Sequence, residues 1–203
     1  MTIQTRTTEL EAVNTILSTI GESPLNTLSG SLPVDGTMAK NVLNEINREV
    51  QSMGWHFNTH HKATLSKDTS GKVPLATNVL RVELNPNRFS KSDFDIVQRD
   101  NYLYNLAKNT DVFTQDFDEV TLIYLLDFAD IPEQAKRYIT VRSARVFHDR
   151  TLGANTLHKF SQEDEQKSFA VLKQAESQTG DYTMFDSPEQ AYTISRNKAH
   201  WWY

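Results

Sequence analysis

Cysteine is absent from the chain, which excludes disulfides, thiolate metal sites and a cysteine nucleophile, and leaves the redox compartment open. Glycine is scarce, at 7 of 203 residues, and its positions fit helix caps and turns. No glycine-rich phosphate loop, GxSxG elbow or HExxH zinc motif occurs, so no cofactor is expected. The opening MTIQTRTTELEAV lacks an apolar core and is not read as a secretory signal. No apolar run approaches the roughly 18 residues of a membrane span, so no membrane association is expected. Excess positive charge is missing too. The net charge of -5 argues against a sequence-reading DNA binder, and suits a surface past which nucleic acid must move without adhering.

What is present fits one domain, or one domain with a sizeable insert. A chain of this length buries roughly 70% of its unfolded surface, enough for a core without staples. Leu10, Val13, Ile16, Leu17 and Ile20 recur at helical spacing and predict a helix over 8–20. Thr8 and Glu11 form its capping box; Gly21 and Pro24 stop it. A second helix is expected from Gly36 to Met53, capped by Asp35 and ended by Gly54. Met38, Val42, Leu43, Ile46 and Val50 are its expected buried face, with Asn47 and Gln51 on the polar side.

After Gly54 the pattern changes to short β-type runs between turn residues. The stretch around His60 reads as strand. So do Val79–Leu84, Phe94–Val97, Tyr102–Tyr104, Val112–Phe113 and Val120–Leu126. Close turns imply antiparallel pairing, since parallel crossovers need a dozen residues or more. Helix returns near Pro132 and ends before Gly153, and a fourth helix runs from about Asn155 to Ser177, closed by Gly180. Leu157, Phe160, Phe169, Leu172 and Ala175 give that helix its apolar side, while Ser161 to Lys167 reads as fully solvated. The expected fold class is α+β: a four-helix bundle (1–54 and 130–180), an inserted antiparallel β-rich region (55–129) and an extended C-terminal arm (181–203).

Candidate chemistry is sparse. His56, His60 and His61 lie in a stretch read as strand with no acid in zinc spacing, so they read as surface or packing residues, and no metal site is expected. His148 and His158 flank the last interhelical loop without support for a metal role. Asp116, Asp118 and Glu119 could supply the two carboxylates of a glycoside hydrolase, or simply decorate a solvated turn. Lys136, Arg137, Arg142 and Arg145 on the third helix suit either nucleic acid or, preferentially, an acidic protein partner. The arm holds Tyr182, Phe185, Tyr192, Trp201, Trp202 and Tyr203. Aromatics are typical interface anchors, so docking on a neighbouring protein is expected, against the alternative that the arm folds back on its own domain. Trp55, next to the Gly54 stop, is expected to plug the junction between helices and β region.

Three blocks in order carry a resemblance: AVNTILSTIGESPLNTL (12–28), VLNEINREVQSMGWHFN (42–58) and IPEQAKRYITVRSARVF (131–147), with Tyr102-Leu103-Tyr104 between the last two and Gly153 beyond. Over Leu10 to Phe185 the chain resembles the tail tubular protein A family of short-tailed, T7-like bacteriophages, the head-to-tail adaptors or gatekeepers. The resemblance implies a structural virion protein of the tail, assembled in the host cytoplasm and not an enzyme. It implies a dodecameric ring of copies below the portal protein, joined to the nozzle of tail tubular protein B, with tail fibres attached nearby. Genomic DNA would cross the lumen without being read. The rival expectation is a tail-associated polysaccharide hydrolase using the carboxylate pair.

Overall fold

The computed structural model describes residues 5–153 and 155–180, and the side chains of all of these except 155–161. The arm at 181–203 therefore lies outside the described residues, as do the side chains of Leu157, His158 and Phe160. The described chain combines four helices with antiparallel sheet, an α+β fold.

Helix α1 (Glu9–Ser18) starts as its sequence dictates. Thr8 Oγ1 accepts the Glu11 amide at 3.2 Å, and the Glu11 carboxylate accepts the Thr8 amide at 2.7 Å. These bonds hold the Glu11 carboxyl below its ordinary range, the Thr8 amide contributing most. Ala12, Val13, Ile16 and Leu17 turn inward.

Helix α2 (Val34–Ser52) departs from expectation at its start and on its faces. Pro33 precedes it in extended conformation with no side-chain cap, and Asp35 sits inside the first turn, where an acid meets the positive end of the helix dipole. Met38 is 44% exposed, while Asn47 and Gln51, expected in solvent, are buried. The loop after α1 lays Leu25 across Gly36, where an added Cβ would lie 2.8 Å from Leu25 Cδ1, and Gln51 is drawn inward by hydrogen bonds to Leu126 and Asn47. The inward face holds the expected Val42, Leu43, Ile46 and Val50 and extends to Gly36, Ala39, Asn47 and Gln51.

Gly54 ends the helix at φ +77°, and any Cβ there would collide with Ile123 at 2.6 Å. A single 3-10 turn, His56–Asn58, leads into β1 (Thr59–Leu65). Strands β2 (Val79–Glu83), β3 (Ile96–Arg99), β4 (Tyr102–Asn105) and β5 (Phe117–Tyr124) follow. The sheet order is β1-β5-β2, all antiparallel, with β3-β4 as a separate hairpin. Its turn places Asp100 (φ 47°) and Asn101 (φ 61°) in the left-handed region that these two residue types tolerate and tight hairpins require. Ladder irregularities on β1 and β5 coincide with positive φ at Lys62 and Glu119. Val112–Phe113 does not form a strand: Phe113 donates one bond to Gly71 at 2.8 Å and Val112 stays exposed.

Helix α3 (Glu133–Thr151) packs against α1, α2 and α4 (Asn155–Thr179). It is weakly apolar yet central, burying Lys136, Thr140, Ser143 and His148 beside Tyr138, Ile139 and Phe147. Two hydrophobic clusters result. One joins the helices with Phe128 and Ile131; the other gathers Phe89, Leu103, Phe113, Phe117, Val120 and Leu122 around the strands.

Trp55 sits at the junction. Its indole donates to Val50 O at 2.7 Å and meets Phe169 of α4 edge-on at 6.1 Å. Trp55→Ala is expected to lower unfolding free energy by about 3 kcal/mol, read by urea denaturation. An unchanged midpoint would show that Trp55 serves another molecule instead.

Candidate interaction surface

Arginines of α3 are held by an acid of α4 that reads in the sequence as solvated. Glu165 lies against Arg145 Nε and 3.9 Å from Arg142 Nε, with only 16% of its side chain exposed. Arg142 also bonds Tyr138 Oη at 2.9 Å and pairs with Glu49 of α2; Arg145 pairs with Asp149 at 3.1 Å. The hydrogen bond that Arg145 donates to Glu165 favours the charged form of the guanidinium, against the opposing effect of burial. The cluster ties α2, α3 and α4 together inside one subunit. Arg137 remains exposed, whereas Lys136, expected on the surface, is 1% exposed.

Lys136 is buried because the chain turning into α3 folds over it. Its Nζ donates to Ala129 O at 3.0 Å and lies 5.7 Å from the Phe128 ring centroid. It backs a groove of about 740 Å³ bounded by residues 5–9, by Asn44, Asn47 and Arg48 of α2, and by 125–129. The N-terminal wall is fixed by Thr7, whose amide and hydroxyl both donate to Glu133. Periodicity could not reveal the groove, since its walls come from segments about 120 residues apart.

The acid cluster offers no free pair. Asp118 and Glu119 both grip Arg88, at 2.6 and 3.2 Å, and Asp116 accepts the Lys67 amide at 2.9 Å. In the cleft of about 400 Å³ beside β1 and β5, Glu83 is likewise paired, with Arg81 at 2.9 Å. The His60 ring lies tilted against Tyr124, centroids 4.7 Å apart, and the His56 amide donates to Glu176. Among the described residues no group of three His, Asp or Glu side chains could hold a metal. Nor is any described helix long and apolar enough to cross a membrane. The arm's Tyr182, Phe185, Tyr192, Trp201, Trp202 and Tyr203 lie outside the described residues.

Internal ion pairs thus tie α2, α3 and α4 into one body. A family model described as tail tubular protein matches residues 10–182, and the chain belongs to that family. It is therefore a structural protein of a phage tail, a component of the virion that assembles with other tail components. Among its relatives, tail tubular protein A of Klebsiella phage KP34 is 29% identical over 168 residues, 82% of this chain and 86% of that protein. The polysaccharide hydrolase reading finds no support in this relationship or in the ion-paired acids.

Proposed function

We propose that the chain is a head-to-tail adaptor, a wedge that closes side by side into a ring between the portal and the nozzle of tail tubular protein B. Family membership across residues 10–182 carries the reading. The braced helices support it: a ring wedge must resist shear, and Glu165 with Arg142 and Arg145 locks three helices without using an outer face. Ring closure requires heterologous contacts, one face meeting a different face of the neighbour. In this reading the helices form a four-helix bundle that meets the portal, and the β-rich region faces the nozzle. Twelve copies enclose a lumen that genomic DNA crosses unread, with tail fibres attached at this level and assembly taking place in the host cytoplasm. Arg137 and the arm's aromatics contact neighbours, while Arg142 and Arg145 act at that interface by fixing the helix face.

The test is to mix the purified chain with its cognate portal ring and image the product by electron microscopy, with the chain alone as control. A second ring stacked on the portal is the expected result; no association across a range of salt would refute the reading. Deleting 181–203 is expected to weaken that stacking while leaving the thermal transition of the fold nearly unchanged. Collapse of the fold on deletion would assign the arm to its own core.

A further inference from the structure

The groove in front of Lys136 is unusual in its charge. A buried ammonium is unfavourable unless an anion compensates it, yet Lys136 has no carboxylate within ion-pair distance among the described residues. Arg6 and Arg48 line the same groove and are exposed; neither forms a salt bridge among the described residues, and Glu45, the acid within Coulomb reach of Arg48, is held by Arg150. Of the two acids in the lining, Glu9 is turned toward Lys40 at 4.0 Å, and Asp127 is exposed. Leu125, Leu126 and Phe128 add an apolar floor. Such a groove selects a segment that brings carboxylates and large apolar side chains together.

One segment of this chain has that chemistry. Residues 181–192, DYTMFDSPEQAY, carry Asp181, Asp186 and Glu189 with Tyr182, Phe185 and Tyr192, and no lysine or arginine. The helix that precedes it ends at the level of the groove. Glu176 of α4 accepts the His56 amide at 2.6 Å, just past α2, while Leu126 of the groove bonds Gln51 near the end of α2. Twelve extended residues reach about 40 Å, more than the width of a small domain.

We propose that the groove receives residues 181–192 of a second copy of the chain, making it the acceptor half of the head-to-tail contact. The inference rests on the ring reading and specifies one of its two faces. Carboxylates of the segment would sit in the field of Lys136 and Arg48, and its aromatics on Leu125, Leu126 and Phe128.

Charge reversal on the full-length chain tests it. Arg48→Glu alters an exposed side chain, and Asp186→Arg with Glu189→Arg alters the segment. Each variant is expected to lose about tenfold or more in affinity for ring formation on the portal, read by co-sedimentation and microscopy. Combining all three substitutions is expected to recover most of that loss, with thermal transitions confirming that every variant folds. Mixing the groove variant with the segment variant on the portal should likewise restore ring formation, because every groove then meets a segment of opposite charge on its neighbour. Arg48→Glu assembling as the wild type does, or a combination no better than the worse half, would overturn the groove. A mixture that assembles no better than either variant alone would place the segment on its own subunit and overturn the groove equally. These failures leave wild-type stacking intact, so they are distinct from failure of the adaptor reading, in which the wild type itself does not stack.

Discussion

Gln51→Leu is expected to destabilise the fold by about 3 to 5 kcal/mol, although leucine is of similar size and more apolar. Gln51 is fully buried and uses both ends of its amide. Its Nε2 donates to Asn47 Oδ1 and to Leu126 O, each at 2.9 Å, and its Oε1 accepts the Leu126 amide at 2.8 Å. Asn58, also fully buried, extends the network by donating to Gln51 O at 2.9 Å and Tyr124 O at 2.7 Å. Leucine would strand the Leu126 amide and carbonyl without partners, each worth about 1 to 3 kcal/mol when buried and unpaired. For a chain of this length the thermal midpoint should fall by about 10 °C, measured by circular dichroism. A midpoint unchanged within error would mean that water replaces the amide, and that the junction between α2 and the β5–α3 connection is looser than its geometry implies.

Phe117→Ala addresses the other hydrophobic cluster. Phe117 is fully buried at the start of β5, with ring centroids of Phe113, Phe89 and Phe94 at 5.2, 5.3 and 5.6 Å. Truncation removes the ring that the other three share, and the loss is expected to be about 4 kcal/mol. Its location matters more than its size. Hydrogen exchange should accelerate across β4 and β5 while the amides of α2 and α3 keep most of their protection, because no Phe117 ring contact reaches the helical cluster. Equal acceleration in both clusters would show that the amide network at Gln51 and Asn58 couples them into one cooperative unit. The two substitutions thus probe a β-rich region and a helical part from opposite sides of their joint.

Several elements could be read before any coordinates. The α1 capping box, the Gly54 stop and the start of α3 at Pro132 stand within a residue or two of expectation, because each depends on neighbours three or four positions away. The turn at Asp100-Asn101 is local in the same sense. Where expectation failed, the deciding partner was distant. Gln51 is buried because Leu126 of the β5–α3 connection takes both ends of its amide; Glu165 is covered because two arginines of α3 reach it. Glu165 lies in a run of polar residues that periodicity assigns to water, and no spacing rule reports that a helix some 20 residues earlier presents guanidinium groups to it.

The candidate surfaces divide in the same way. Order and identity of the helical blocks were enough to place the chain among the tail tubular proteins, since local patterns of capping, stop and core survive in sequence even at 29% identity. Which charged residues are free to meet a partner was decided by tertiary packing alone. Burying a charge is tolerable only beside compensating groups, and those groups arrive from other elements of the fold. Packing therefore turned Arg142 and Arg145 into braces, drew Lys136 into the wall of a groove and left Arg48 at its edge.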